Sequence, residues 1–287
     1  MSQNTVVVGV DGSEHSLVAA RWAATEAQRR DAALRVVLVY EYAWPGAQFT
    51  SPAFIESQAR ELADTLVATA VAQAGTAAPG IKISGSSVRG RPSEKLIEES
   101  EHAALLVVGS RGHGGFVNLL SGSTSMQVAT HAHGPVAIVR GHAAAIEGPV
   151  VVGVDGSPSS LHALEAALDA AAKRSADVIA IRAYEVPMVW SGYGIGPEYV
   201  DPDTIANELH QNLNEEVAIW QDKYPDVPVK TVVARGSAAD VLIGVSKSAQ
   251  LVVVGTRGHG GFAGLLLGSV GQQLMHHSGS PVLIVRR

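Results

Sequence analysis

The sequence predicts an α/β fold: two tandem doubly wound (Rossmann-like) domains, each a five-stranded parallel sheet in an α/β/α sandwich. Three observations predict it. The chain is written twice, apolar β-branched runs alternate with Ala-rich helical stretches, and glycine clusters follow the strand ends. Residues 6–13, VVVGVDGS, recur at 150–157, and GSRGHGGF at 109–116 recurs as GTRGHGGF at 255–262. Arg89-Gly90 returns as Arg235-Gly236, and the ending PVAIVR at 135–140 returns as PVLIVR at 281–286. So long a period duplicates a whole domain rather than a solenoid unit. The 287 residues suit two domains of ordinary size. We place them at 1–142 and 148–287, joined by the small-residue stretch from Gly141 to Gly148. The offset between copies is 144 at the first strand and 146 at the glycine cluster, so the second copy carries a net insertion between its first and third strands.

Val6–Val10 is a wholly apolar β-branched run, as a strand covered on both faces requires. Asp11-Gly12-Ser13 punctuates it, with Ser13 as N-cap of a helix reaching about Arg30. In the second copy Ser157-Pro158 places the cap and then proline at the first helical position. Residues 34–40 form strand two. A loop rich in proline, glycine and aromatics follows, then a helix over residues 52–74. Strand three spans 81–88, a short helix 93–100, strand four 105–108, a helix 123–131, and strand five 136–139. Strands alternating with helices define βαβ units and a parallel sheet. Right-handed crossovers make the doubly wound order the natural topology. Ligands of such sheets bind beyond the strand carboxyl ends, where the strand order reverses.

Composition narrows the classes of function. Hydrophobic residues make up 46% and charged residues 17%, enough apolar surface for packed cores. The formal charge of -6 disfavours general nucleic-acid binding, which needs a basic footprint. With no cysteine there is no disulfide, thiolate metal site or thiol nucleophile. The opening residues show no basic segment followed by an apolar stretch and a cleavage site, and no apolar run of about 18 residues occurs anywhere, so no membrane association is expected and a cytoplasmic location is the default expectation.

The chemistry lies in the glycine loop. Gly109-Ser110-Arg111-Gly112-His113-Gly114-Gly115 follows strand four, and Gly122-Ser123-Thr124 comes after it. The second copy has Gly255-Thr256-Arg257-Gly258-His259-Gly260-Gly261 and then Gly268-Ser269-Val270. Both fit G-x2-G-x9-G-[S/T]. Such glycines let the backbone turn tightly and aim successive N–H groups at an anion. The helix opening at Gly122 or Gly268 adds its N-terminal N–H groups and dipole. Tight turns and a helix cap alone would leave the same residues, but the pattern is kept in both copies. No G-x4-G-K-[S/T] occurs, and strand one leads into Asp-Gly-Ser rather than the dinucleotide fingerprint.

Together, the V-G-V-D-G-S openings, the R-G pairs, the glycine loops and the P-V-x-I-V endings resemble a tandem universal stress protein of the ATP-binding subgroup. The resemblance covers essentially the whole chain. It implies an adenine-nucleotide site in each repeat, at the strand carboxyl ends, taking ATP with or without Mg2+. Gly109, Gly112, Gly122 and Ser123, and likewise Gly255, Gly258, Gly268 and Ser269, would contact triphosphate and ribose. Asp11 and Asp155 would lie near adenine and ribose. Val39 and Tyr40, or Ala183 and Tyr184, would meet the adenine. Gly9 and Gly153, with Ser110, Arg111, His113, Gly114, Gly115 and Thr124 and their counterparts Thr256, Arg257, His259, Gly260, Gly261 and Val270, complete the binding sets. The family also implies a regulatory role in stress, hypoxia or growth arrest, with a protein partner.

Other features are weighed against simpler roles. Asp11 and Asp155 could instead bond their own turns. His113 and His259 lack a neighbouring acid or nucleophile, so phosphate contact or exposure fits them better than catalysis. His131, His276 and His277 suit helix C-termini without further function. The loops Trp44–Pro52 and Pro187–Pro197 could act as lids or as plain connectors. No G-x-S-x-G or H-E-x-x-H occurs, and we nominate no catalytic residue and no metal ligand, so little or no hydrolysis is expected. The alternatives are a slow ATPase or adenylyl-transfer enzyme, and a tandem module without ligand. Strand five would be an apolar sheet edge in each copy, so the copies are expected to cover each other as an intramolecular pseudo-dimer. Pairing of whole chains into a homodimer is not readable.

Overall fold

A computed structural model describes residues 4–41, 52–112, 122–141, 143, 147–185, 202–258 and 266–286. The first repeat runs β1 (Thr5–Val10), α1 (Glu14–Arg29), β2 (Ala33–Tyr40), α2 (Pro52–Ala77), β3 (Ile83–Arg89), α3 (Pro92–Ser100), β4 (Leu105–Gly109), α4 (Ser123–His131) and β5 (Val136–Val139). The second runs β6 (Val150–Gly153), α5 (Pro158–Ala172), β7 (Val178–Tyr184), α6 (Pro202–Gln221), β8 (Val229–Arg235), α7 (Ala238–Ser246), β9 (Leu251–Gly255), α8 (Ser269–His277) and β10 (Val282–Val285).

Within each repeat the strands pair in parallel, and β1 lies between β2 and β4, so the order reverses there as a doubly wound sheet requires. The two five-stranded sheets do not end separately. Strand β5 pairs antiparallel with β10, Ala137 opposite Leu283, giving one ten-stranded sheet in the order β3-β2-β1-β4-β5-β10-β9-β6-β7-β8. Both strands are buried along their whole length, so each covers the edge the other would expose.

Strand alternation divides the core in two. Val6, Val8, Leu34, Val36, Leu105 and Val107 face α1 and α2, and this layer continues through Ala137 and Leu283 to α5 and α6. Val7, Val37, Leu106, Val108, Val136 and Ile138 face α3 and α4, and this second layer continues to α7 and α8. Neither layer stops at the junction between repeats.

Polar contacts also cross that junction. Arg140, just after β5, donates to the carbonyls of Leu274 (3.3 Å) and Met275 (2.5 Å) at the C-terminal end of α8. Its counterpart Arg286, after β10, donates to the Ala129 carbonyl near the end of α4. Each repeat thus places a cation on the negative end of the other's last helix. On the opposite face Glu26 of α1 is 1% exposed and accepts from Arg30 (2.7 Å) and from Arg174 of the second repeat (2.5 Å). Burial alone would raise the Glu26 pKa, but Arg174, Arg30 and Arg29 outweigh it and hold the carboxyl below its ordinary value.

Candidate functional site

The site begins where β1 runs out. Gly12 sits at φ +84, a left-handed conformation that turns the chain sharply into α1. Asp11 Oδ1 accepts from the Ser13 amide (3.0 Å) and hydroxyl (2.6 Å). The Ser13 hydroxyl in turn accepts from the Ser16 amide and caps α1. The second repeat reproduces this: Gly156 at φ +84, Asp155 accepting from the Ser157 amide (3.0 Å) and hydroxyl (2.6 Å), and Ser157 capping α5. Both aspartates therefore do bond their own turns. That local bond leaves Oδ2 on the other side of each carboxylate, against the glycine loop. A Cβ built on Gly112 would run into Asp11 Oδ2, and one on Gly258 into Asp155 Oδ2. Only a glycine allows so close an approach.

The loop's two ends are fastened together. The Gly122 amide donates to the Ser110 carbonyl at 3.0 Å, and the Gly268 amide to the Thr256 carbonyl at 2.7 Å. The turn after β4 or β9 is thereby held beside the start of α4 or α8. Those two helices begin differently from α1 and α5. Their N-cap residues are Gly122 and Gly268, and neither has a side chain to cap the first turn. Amide donors of a first turn have no partner within their own helix. Here no N-cap side chain takes them, and the positive end of the helix dipole lies at the same place.

In the first repeat these parts enclose a cleft of about 390 Å³, a size suited to a small organic ligand. Gly9, Asp11, Val39, Gly109, Arg111, Gly112, Gly122, Ser123 and Thr124 all line it, as do Val10, Ser16, Val37, Pro92, Leu96, Val108 and Ser125. One wall is apolar, formed by Val37, Val39, Leu96 and Val108. The other is polar, formed by Asp11, the glycine turn and the α4 start. Ser110 lies behind the loop, buried, its amide on the Val139 carbonyl. Tyr40 does not point into the cleft. Its side chain packs with the α1 and α2 layer, because neighbours on a strand face opposite sides, while Val39 packs with the α3 and α4 layer. The Tyr40 carbonyl accepts from the Gly90 amide, fixing the turn into α3. His113, Gly114, Gly115, His259, Gly260 and Gly261 lie outside the described residues, as do the proposed lid loops apart from Pro52.

The second repeat brings the same parts together. Gly153 lies against Leu242 as Gly9 lies against Leu96, and Gly258 lies against Asp155. Thr256, Arg257, Gly268, Ser269 and Val270 follow at the matching places, beyond Gly255 at the end of β9. Ala183 shares a strand face with Ile181, which packs in the α7 and α8 layer, whereas Tyr184 falls on the other face. The Tyr184 carbonyl accepts from the Gly236 amide, as in the first repeat.

Of the unanticipated lining residues, Val37 could have been found from Val39 by strand alternation. Pro92 and Leu96 follow the Arg89-Gly90 turn at helical spacing. Nothing short of the fold brings α3 to Gly9. Chemically the cleft offers donors and an apolar slot. Among the described residues no group of three or more His, Cys, Asp or Glu side chains could hold a metal ion. Arg111 is exposed, and its charge acts on Arg140, where burial and that neighbouring charge both lower the pKa.

Comparison with known proteins agrees with this architecture. A model of the universal stress protein family matches residues 3–140 and again 148–286. The chain belongs to that family, as a tandem two-domain member. It is 37% identical over 301 residues to Universal stress protein Rv1996 of Mycobacterium tuberculosis, covering 98% of this chain and 94% of that protein. A universal stress protein of Mycolicibacterium smegmatis is 36% identical over 296 residues, covering 98% of this chain and 96% of its own. A crystal structure of a universal stress protein from Archaeoglobus fulgidus has the same fold, with a TM-score of 0.73, 20% identity and full coverage of both chains. Among the described residues no helix is long and apolar enough to cross a membrane.

Proposed function

We propose that the protein is an adenine-nucleotide-binding regulator that takes ATP in each repeat and releases it with little or no hydrolysis. The observation that carries this reading is the uncapped start of α4, tied by the Gly122 amide to the glycine turn and facing an apolar slot across one cleft. The amides of Gly112 and of the first turn of α4 suit phosphate oxygens, with Ser123 and Thr124 adding hydroxyl donors. Val37, Val39, Leu96 and Val108 suit the flat face of a base. Asp11 and the neighbouring turn suit a ribose.

The same parts fit the nucleotide but not a hydrolytic machine. Asp11 Oδ1 is engaged by Ser13, and phosphoryl transfer needs a group that orients the attacking water. Mg2+, when present, would ride mainly on the phosphates, with Asp11 or Asp155 as the nearby carboxylate. Occupancy would favour one arrangement of the two repeats, read by a partner protein in a stress response. Association of whole chains belongs to the same proposal.

The test is to denature purified protein and identify released nucleotide, then follow thermal unfolding with added ATP. We expect released adenylate or a clear rise in Tm. Absence of both would remove the reading, and multiple turnover of ATP to ADP or AMP would replace it with the slow enzyme.

A further inference from the structure

A larger cavity lies at the other end of the sheet from the glycine turns, where the strands of the second repeat begin. Its volume is about 660 Å³, within the range of small-molecule sites. Its walls are the stretch joining the repeats, the turn from α5 into β7 that carries Asp177, and the start of β8 with Lys230. Val178, Ile179 and Val229 give it an apolar floor. Gln250, just before β9, stands at the far side from Lys230, because β9 and β8 flank β6 and β7 in the sheet. The joining stretch is held in place at this wall. Gly148 sits at φ +111, and a Cβ there would stand 2.5 Å from the Ser248 carbonyl oxygen. Gln250 Nε2 donates to the Gly148 carbonyl at 2.7 Å. That carbonyl can only accept, so the amide cannot be reversed, and Oε1 is the atom left over. Gln250 is 5% exposed, and its Oε1 is buried with no hydrogen-bond partner, a costly state for an acceptor.

The duplication supplies an internal control. By strand register Gln250 matches Ala104 of the first copy, Asp177 matches Ala33, and Lys230 matches Ser84. The second copy thus sets a buried amide, a carboxylate and an ammonium around this cavity where the first has small side chains. Glu147, Asp177 and Lys230 are exposed, and among the described residues none of the three side chains forms an ion pair. Arg174 also lines the cavity, but its guanidinium is committed to Glu26 and to the Ala170 carbonyl. Lys230 stands opposite Ile179, and Asp177 comes two residues before Ile179 on the same face, so a cation and a carboxylate lie near each other without joining. The Gln250 end lies about 14 Å away, three strand spacings across the sheet. There the free groups are acceptors: Gln250 Oε1, and the Glu147 carboxylate next to Gly148.

We propose that this cavity binds a free basic amino acid, of the class of arginine and lysine. The ligand's carboxylate meets Lys230, its α-ammonium meets Asp177, and its side-chain stem lies on the apolar floor. Its terminal cationic N–H groups meet Glu147 and Gln250 Oε1. The charges match, one cation and two carboxylates on the protein against one carboxylate and two cations on the ligand. A diamine would set a second cation against Lys230, and an amino acid with an apolar side chain would leave Glu147 and Oε1 unmet. The proposal is independent of the nucleotide reading, because the two kinds of site lie at opposite ends of the strands.

Equilibrium dialysis of the full chain against labelled L-arginine, L-lysine, L-norleucine and putrescine, at constant ionic strength and without nucleotide, tests the match. Arginine or lysine should bind at least about tenfold tighter than norleucine or putrescine, the order expected of a charge-assisted hydrogen bond. Three variants restore the first copy's residues. Lys230→Ser should weaken arginine and norleucine at least about fivefold without weakening putrescine. Asp177→Ala should weaken all of them. Gln250→Ala should weaken arginine several-fold and leave norleucine unchanged. Circular dichroism melts verify that each variant is folded. No binding of arginine or lysine by the folded wild-type chain overturns the proposal. So does binding indifferent to all three substitutions, which would place the ligand elsewhere, or putrescine bound as tightly as arginine, which would make this a diamine site. None of these outcomes touches the nucleotide reading, and a chain that binds arginine but no nucleotide would keep this site and lose that reading.

Discussion

Gly112 and Gly258 hold the most demanding positions in the two glycine turns, because each lets a loop backbone press against a carboxylate. Neither has the positive φ that would strain an alanine, and both are exposed. Gly112→Ala should therefore cost only the displacement of Asp11 or the loop, about 1 kcal/mol and without backbone strain. It should weaken nucleotide binding in the first cleft at least about tenfold, because the added methyl displaces either Asp11 or the loop. Calorimetry and a thermal melt on the same sample check both halves. Much of this was legible in sequence, since Asp11, Gly112 and Gly122 stand in motifs that repeat. What was not legible is that Asp11 touches Gly112, a contact made only when β1 and β4 lie side by side. Tyr40 teaches the converse. Alternation along β2 sends it to the opposite face from Val39, and a strict period-two reading would have separated the pair.

The helices divide by how they begin. Ser13 and Ser157 cap α1 and α5, whereas α4 and α8 start on uncapped glycines. Ser13→Ala should destabilise the protein by about 1 kcal/mol, the usual loss for an N-cap, seen as a lowered Tm or denaturation midpoint. Gly122→Asp should do the reverse at the other kind of terminus. A Cβ there has room, its nearest neighbour being Ser125 Oγ at 3.5 Å. The new carboxylate would cap α4 and raise the Tm slightly, yet it would occupy the donors proposed for phosphate and repel it. Stability should rise while ATP affinity falls, as calorimetry and melting would report. Element bounds followed their punctuation. Helix α4 and strand β5 begin and end where Gly122 and Pro135 implied, but α2 runs on to Ala77, past the expected stop at 74. There Ala74 and Ala78 pack in the core on either side of Gly75, and burial outweighs the helix-weakening glycine.

At the scale of the whole molecule, two repeats make one sheet and two continuous cores. The apolar fifth strands foretold that the copies would cover each other, but not the antiparallel register of β5 on β10. Glu26 was not foretold either, because its partner Arg174 is distant in sequence and its own counterpart in the second repeat is Ala170. Removing Glu26 leaves two arginines facing each other in a buried junction. Glu26→Ala should cost about 3–5 kcal/mol, and Glu26→Ala with Arg174→Leu should recover much of it, measured by denaturant unfolding. Since the folded carboxyl is held below its ordinary value, its stabilising contribution is complete above the unfolded pKa of about 4.3 and is lost as pH falls through the lower folded value. Acid titration of stability should show that loss in the wild type and not in the double variant.

Native mass spectrometry of the intact chain in ATP addresses the central claim most directly. Two bound nucleotides per wild-type chain, one in either Gly112→Ala or Gly258→Ala, and none in the double variant is the result this account predicts. A wild-type chain that carries no nucleotide, or a double variant that still carries two, would contradict it.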